Sequence, residues 1–467
     1  MFGKIKSWVA GHRARAAVMF ALCAALFASV FFRGDPCFTP ELKLVWSQGA
    51  SGDGRGGDFS PFWVAAWWMR ERPANVPLYY PEEAPGEINH RIWTAGRIGS
   101  DFLYEPWRLY GHFHECPRPK FYLYTPVFAV AFTPLTLLKA DTAALVWRVM
   151  NMAALIGALA LICALPMRSR VRASSWFIGG LACAFVWYPA RLAIELGQNS
   201  PVLFFLWVLL LHFLIRKRDA LAGATLAGLI LVKLSPVLLV PWLVWRRHWK
   251  AFFFTGAAGA ILLCVCLWFA GFGQMKTYFT QVVPLLNKGA YTHINQSLLG
   301  VLLRKTPHGT DQETLGGPGM TTPKAAARLT SFNILICAIQ LASFLKRSAR
   351  TPRQLALDYG SLTVFLLIIS SLSWTHYYVV TLLPLMLAAD FALAQKNCWR
   401  LPAIIFLGVC ASLIALPPMT HDWILAHERW AWVSIRFFAA VALWIFFQFV
   451  LWCEPAETPG AAHGEPA

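Results

Sequence analysis

Charge is scarce in this 467-residue chain. Only 14% of its residues are Asp, Glu, Lys or Arg, whereas 57% are hydrophobic and the mean hydropathy is +0.51. Soluble globular domains carry roughly 25% charged residues, so the composition excludes an ordinary soluble protein and predicts a polytopic membrane protein. The net charge of +18 comes from clusters between apolar segments, as the positive-inside rule produces, and we therefore expect no nucleic-acid partner.

Several chemical signatures are also missing from the sequence. Its eleven cysteines form no CxxC framework, and it has no zinc-ligand spacing, no P-loop and no Gly-rich dinucleotide fingerprint. We expect neither a cofactor nor a metal site. Cys37 and Cys116 fall in the polar stretch after the first apolar segment, where we predict that they pair; two free thiols are the alternative.

The apolar segments predict an all-α bundle. Residues 1–15 are basic and are predicted to be cytoplasmic, and the first apolar run, 16–32, is long enough for a short transmembrane helix. Residues 34–121 form a long polar stretch, predicted to be a folded first extracytoplasmic loop with interfacial amphipathic helices. The predicted transmembrane domain covers residues 16–452, and residues 453–467 are expected to be a disordered cytoplasmic tail. Twelve further apolar segments lie at 122–138, 143–166, 174–190, 201–215, 221–234, 236–245, 251–272, 325–345, 355–373, 377–393, 401–416 and 430–452.

Five basic clusters should face the cytoplasm. They lie at 168–172, 216–218, 246–250, 346–353 and 396–400. If residues 122–138 and 143–166 both crossed the membrane, the cluster at 168–172 would lie outside and break the charge rule. Either residues 122–138 are re-entrant or interfacial, or that cluster is an exception; we favour the first, which gives about twelve spans with both termini inside. Lys233 and Pro236 then mark the outer apex between two short spans.

Asp58 stands out in the first outer loop. It lies between glycines and the aromatic run that begins at Phe59. Ser60 and Pro61 predict a helix start, followed by Phe62, Trp63, Ala66, Trp67 and Arg70 at helical spacing. We expect a short interfacial helix with its aromatics among the lipid headgroups and Asp58 at its mouth. Alternatively, Asp58 only caps or solvates that helix.

Further polar residues should reach the same outer face, where ionisable groups near the membrane are costly and often functional. These candidate donor-phosphate or substrate-binding residues are Arg191, Gln198, Asn199, Lys233, Asn295, Gln296 and His376. A base with cations fits transfer from a lipid phosphate donor, and a transporter is the alternative. Structural roles remain open: Gln198 and Asn199 could cap the next helix, Lys233 could snorkel, and Arg191 and His376 could be interfacial.

The ordered set of motifs resembles glycosyltransferase family 87, integral membrane enzymes of the GT-C class. The motifs are Asp58-Phe59, Leu78-Tyr79, Phe121 to Pro126, Gly197-Gln198-Asn199, Ala222-Gly223, Lys233 to Pro236, Asn295 to Leu298 and Ser373 to His376. The resemblance covers most of the chain. No one motif is specific, and the carboxylate stands alone where the wider class often has an acidic pair, which argues against a divalent-cation site.

This resemblance implies a mannosyltransferase-like enzyme that moves mannose or another sugar from a polyprenyl-phosphate donor to a lipid or glycan acceptor. Transfer would be inverting and would occur on the outer face of a bacterial inner membrane, with the site toward the periplasm. Asp58 would be the general base, and Arg191, Lys233 and His376 would stabilise the departing phosphate. A catalytically inactive member acting as an assembly partner is a third possibility.

Overall fold

The computed structural model describes residues 59, 62, 65–66, 69–70, 122–138, 140–167, 169, 171–287, 294–304, 323–346, 351–416 and 433–453. Asp58, Cys37, Cys116 and the predicted N-terminus at 1–15 lie outside these residues, as does nearly all of the predicted loop at 34–121. Of the predicted tail at 453–467, only Cys453 is described, and it ends the last helix. Within the described part the architecture is all-helical, as predicted, and its one β-bridge joins Asn295 to Trp374.

The helices before residue 250 include several short ones. They are α1 (Pro126–Phe132), α2 (Ala140–Cys163), α3 (Ala173–Val186), α4 (Tyr188–Glu195), α5 (Ser200–Ile215), α6 (Asp219–Val232) and α7 (Leu239–Trp245). A 3-10 helix, Thr133–Leu137, follows α1, and another, Ser235–Leu238, precedes α7.

The later helices are longer on average. They are α8 (Trp249–Thr277), α9 (Val283–Asn287), α10 (Leu298–Arg304), α11 (Pro323–Lys346), α12 (Pro352–Ile369), α13 (Leu382–Ala394), α14 (Arg400–Ala415) and α15 (Ile435–Cys453). A π-helical segment, Tyr278–Val282, extends α8, and the 3-10 helix Thr375–Thr381 leads into α13.

Five of the described helical stretches are long and apolar enough to cross a membrane, and a sixth arises if α3 and α4, which meet at a 65° bend, count as one broken span. The five are Thr142–Cys163, Trp249–Val282, Ala327–Leu345, Thr375–Ala394 and Ile435–Trp452. Five shorter apolar helices accompany them. The chain is therefore an integral membrane protein, and the count of about twelve spans stays a prediction.

The predicted basic clusters meet at one end of the bundle. In the cluster at 168–172, the Ser169 amide donates to Asp390 Oδ1 at 2.9 Å. Asp390 lies near the end of α13, which leads into the cluster at 396–400. The Arg353 guanidinium lies 5.6 Å from the ring centroid of Phe391 on the same helix. Three of the five clusters thus lie together.

The other two clusters join them through the start of α12 and the end of α7. Arg246 forms a buried ion pair with Asp358, and its guanidinium also lies 5.1 Å from the ring of Phe344. His248 lies within electrostatic reach of Asp219, which directly follows Arg216–Arg218. This end is called the basic end below.

The contacts of residues 122–138 bear on the charge conflict around this segment. The start of this segment contacts Gln198 through Tyr124, whose hydroxyl donates to Gln198 Oε1 at 3.1 Å. Its helical end returns to the same place, because Phe132 packs on Trp147 with ring centroids 4.8 Å apart and Trp147 Nε1 donates to the Gly197 carbonyl. These contacts lie near one another at Gly197, and the helical stretch Pro126–Leu137 is shorter than the helices long enough to cross a membrane. The re-entrant or interfacial alternative therefore stays the prediction.

Packing inside the bundle combines close backbone approach with polar contacts between helices. Gly223 lets α6 press against α8, since a Cβ there would come within 2.6 Å of the Ala251 carbonyl oxygen. Gln340 of α11 accepts hydrogen bonds from Ser361 of α12 and from Trp444 and Gln448 of α15. Interhelical hydrogen bonds in membrane proteins contribute on average about 0.6 kcal/mol each, so this network specifies which helices pair.

Candidate functional site

Phe59 is the described residue closest in sequence to Asp58, and it packs on Gly197. Gly197 follows α4 and has a positive φ of 68°. A Cβ at position 197 would lie 2.9 Å from the Cβ of Phe59. Glycine adopts this left-handed backbone without strain, and the close approach of Phe59 leaves no room for a Cβ.

The predicted helix after Asp58 is present at every described position between Phe62 and Arg70. Its expected contact with headgroups is wrong for Phe62, which is 1% exposed and packs edge-on against the rings of Tyr124 and Phe128, both at 5.0 Å. Arg70 Nη1 donates to the Thr136 carbonyl. Burial of apolar surface against α1 thus holds this helix on the protein, which the sequence pattern could not distinguish from an interfacial face.

Residues 122–125 connect the first loop to two other parts of the site. Tyr124 holds Gln198 by the hydrogen bond described above. The Thr125 hydroxyl donates to the Leu231 carbonyl in the last turn of α6. Gln198 and the break at Lys233 therefore lie on either side of the same short segment.

Lys233 and His376 meet at one aromatic ring. Lys233 ends α6, at the predicted break before Pro236, and its Nζ lies 3.0 Å from the ring centroid of Tyr377. His376 is buried, and its ring lies 4.6 Å from that of Tyr377 in a perpendicular arrangement. Lys233 is partly buried and its ammonium group lies on this ring, which favours a contact within the protein over snorkelling.

Asn295 and Gln296 hold the segment that carries His376. Asn295 Oδ1 accepts from the Ser373 amide at 3.0 Å. The Gln296 amide donates to the Ser373 carbonyl at 2.7 Å, and Gln296 Nε2 donates to the Val433 carbonyl. The Tyr378 hydroxyl donates to the Gln296 carbonyl. These contacts between distant parts of the chain fix the position of Trp374 to Tyr378.

Arg191 has a partner in its own helix. Its Nη2 lies 3.5 Å from Glu195 Oε1, one helical turn away on α4, and both side chains are partly exposed. The start of α4 packs on the His376 segment through Trp187 Nε1, which donates to the Tyr378 carbonyl. Arg191 is thus near the site in the fold, with its charge already paired.

The helix-capping alternative does not hold for Asn199. Asn199 precedes α5, and its side chain makes no capping hydrogen bond. Its backbone is helical, with φ −83° and ψ 0°, whereas a side-chain N-cap uses extended backbone. Gln198 is also committed elsewhere, through Tyr124.

The sequence pattern does not single out three residues of the site as functional. Tyr124 and Gly197 belong to motifs without an assigned role, and Tyr377 begins the apolar segment 377–393. Tyr377 directly follows His376, which was the available signal, whereas Tyr124 and Gln198 are 74 residues apart in the sequence. Among the residues that the structure describes, no group of three or more His, Cys, Asp or Glu side chains could hold a metal ion.

Just over half of the chain matches the sequence model of a known family. Residues 122–371 match the family model described as Glycosyltransferase family 87. The chain belongs to glycosyltransferase family 87. The match contains Gln198, Lys233 and Asn295 but begins after Asp58 and ends before His376.

Two curated relatives of this family 87 protein carry the same name, polyprenol-phosphate-mannose-dependent alpha-(1-2)-phosphatidylinositol pentamannoside mannosyltransferase. The Mycobacterium tuberculosis protein is 29% identical over 319 residues, which cover 64% of this chain and 65% of the relative. The Mycolicibacterium smegmatis protein is 27% identical over 298 residues, covering 62% and 66% respectively. The chain thus spans slightly less than two thirds of either relative.

Proposed function

We propose that this protein is a membrane glycosyltransferase that moves a sugar, with mannose the first candidate, from a polyprenyl-phosphate donor to an acceptor hydroxyl. Family membership and the names of the two relatives support this class. The observation that carries the proposal is the close contact between Phe59 and Gly197. It brings the first loop to Gln198, and residues 124–125 link that point to the break at Lys233.

Asp58 is the proposed general base. Because Phe59 packs on Gly197, the adjacency of residues 58 and 59 in the sequence supports this assignment of Asp58. Its carboxylate would take the proton from the acceptor hydroxyl while that oxygen attacks the anomeric carbon of the donor. The bond from the anomeric carbon to the phosphate oxygen breaks, the configuration inverts, and polyprenyl phosphate leaves.

Lys233 and His376 are the proposed partners of the leaving phosphate. Preorganised cations and donors aimed at developing negative charge stabilise such a transition state. Their shared contact with Tyr377 holds them together before a donor binds. Asn295 and Gln296 are assigned a positioning role, because their hydrogen bonds fix the segment that carries His376.

The site is proposed to face the periplasm of a bacterial inner membrane. The basic end lies opposite it along α5, whose 16 residues separate Asn199 from Arg216 by about 24 Å. Basic loops stay in the cytoplasm, so the site end would be outside. A cysteine at position 89 should react with an impermeant maleimide in intact cells, whereas one at Lys217 should react only after lysis; the reverse pattern would overturn this orientation.

The deciding experiment is a transfer assay with the purified protein. Radiolabelled polyprenyl-phosphate mannose and membrane lipid extract should yield a new glycolipid. Asp58→Asn should lower the turnover by about 10²–10⁴-fold, as loss of a general base does, and leave donor binding unchanged. A transporter would bind or move the lipid without forming a product, and full turnover by a folded Asp58→Asn variant would remove Asp58 from the mechanism.

A further inference from the structure

A buried carboxamide without a partner lies at the start of α5. Asn199 is 1% exposed, and neither its Oδ1 nor its Nδ2 has a hydrogen-bond partner among the described residues. The hydroxyl of the next residue, Ser200, is equally buried and also lacks a partner there. Three polar atoms of two consecutive residues are therefore withdrawn from water without a partner among the described residues.

Such groups are costly. A buried donor or acceptor without a partner destabilises a fold, and native proteins contain few of them. Capping does not account for Asn199, since its backbone is helical and no capping bond forms. An Asn that only ended a helix would be expected to accept from a backbone amide of the first turn.

The two residues before Asn199 contact the first loop and the segment that follows it. Gly197, two residues earlier, packs against Phe59, and its carbonyl accepts a hydrogen bond from Trp147 Nε1. Gln198, directly before Asn199, has its Oε1 held by Tyr124. Asn199 and Ser200 thus directly follow, in the chain, the two residues that contact the first loop and the segment after it, where the sugar and the acceptor are proposed to meet.

The chemistry of the three atoms selects the ligand. A phosphate ion under physiological conditions presents mainly acceptor oxygens, which would suit Asn199 Nδ2 but leave its Oδ1 facing negative charge. A sugar hydroxyl both donates and accepts. Two neighbouring hydroxyls can therefore satisfy the carboxamide and the Ser200 hydroxyl together.

We propose that Asn199 and Ser200 bind hydroxyl groups of a sugar, separately from the cations that bind phosphate. This inference rests on the proposed function and divides its site into two parts. The amide part, at the start of α5, would recognise the sugar, and the cationic part, at Lys233 and His376, would hold the lipid phosphate. The sugar can be that of the donor or that of a glycan acceptor.

Binding measurements on Asn199→Ala test the division without requiring turnover. The affinity for polyprenyl-phosphate mannose should fall about threefold to tenfold for each lost hydrogen bond, while the affinity for polyprenyl phosphate should not change. Asn199→Asp, which keeps the shape but loses the donor, should not restore binding. If the variant instead leaves both lipids unaffected and raises the KM for a mannoside acceptor, the hydroxyls belong to the acceptor and the proposal stands.

Two results would overturn it. One is an equal loss of affinity for both lipids, which would make Asn199 a phosphate ligand. The other is no change in lipid binding or in the acceptor KM. Asn397→Ala is the matched control, since Asn397 lies at the basic end and accepts from the Trp399 amide; thermal unfolding of all variants reports on folding.

Failure of the proposed function gives a different pattern. A wild-type protein that binds the sugar lipid but transfers nothing would not be a transferase, and the binding comparison would still decide the role of Asn199. For a wild-type protein that binds neither lipid, saturation-transfer NMR with methyl mannoside decides. A signal that Asn199→Ala abolishes supports the sugar site, and absence of any signal from wild type overturns it.

Discussion

The turns after α4 and α5 have the same backbone hydrogen-bonding pattern but different surroundings. After α4, the Gln198 amide donates to the Ala193 carbonyl and the Gly197 amide to the Ile194 carbonyl. After α5, the Arg218 amide donates to Phe213 and the Lys217 amide to Leu214 in the same pattern. Both are Schellman caps, with φ of 68° at Gly197 and 55° at Lys217.

The residue in the left-handed position shows what differs between the two ends. At the basic end, lysine occupies it, and Arg247 does the same after α7 with φ 59°. The cap itself therefore tolerates a side chain in this protein. At the site end the position is glycine because Phe59 lies against it. The comparison separates the cost of a left-handed backbone from the need for contact with the first loop.

Among Gly197→Ala, Lys233→Ala and Arg191→Ala, the first should have the largest effect on activity. The added methyl group meets Phe59 at 2.9 Å and must displace the residue next to Asp58. Misplacing a reacting group by about 1 Å can cost about 100-fold in rate, so we expect a loss of turnover of that order with donor affinity retained. Turnover and donor binding are measured side by side on the purified variant.

Lys217→Ala is the control for this prediction. It places the same methyl group in the same backbone conformation at the basic end, where the wild type already carries a side chain, and should leave turnover unchanged. Equal turnover in Gly197→Ala and Lys217→Ala would show that the contact between Phe59 and Gly197 does not position the base.

The sequence predicted the helical class, the break at Lys233 and the convergence of the basic clusters, because proline, glycine and charge act locally. It did not predict that Phe62 lies in the protein interior, since an apolar helix face suits lipid and protein equally well. Nor could it show that Asn295 is bound by Ser373, 78 residues away. Contacts of that kind depend on how the helices pack.

Lys233→Ala should weaken donor binding. A hydrogen bond to a charged group contributes about 1.5–3 kcal/mol, which corresponds to roughly 10- to 150-fold in affinity. We expect the same loss for polyprenyl phosphate with and without its sugar, because the phosphate is what Lys233 contacts in the proposal. Lys233→Arg should recover part of it. Unchanged affinity for both lipids would favour a purely structural contact between Lys233 and Tyr377.

Arg191→Ala should have the smallest effect, although the sequence pattern predicts the same role for Arg191 and Lys233. The charge of Arg191 is paired with Glu195 one helical turn away, and both side chains are partly exposed. Pairs of this kind contribute about 0.3–0.5 kcal/mol to helix stability. Lys233 instead faces an aromatic ring at the site. Donor affinity and turnover of Arg191→Ala should therefore stay within about twofold of wild type. Glu195→Gln provides the complementary measurement, since it frees the guanidinium without removing it. If Arg191→Ala lost as much donor affinity as Lys233→Ala, the guanidinium would have to leave Glu195 when the donor binds, and the phosphate site would extend onto α4.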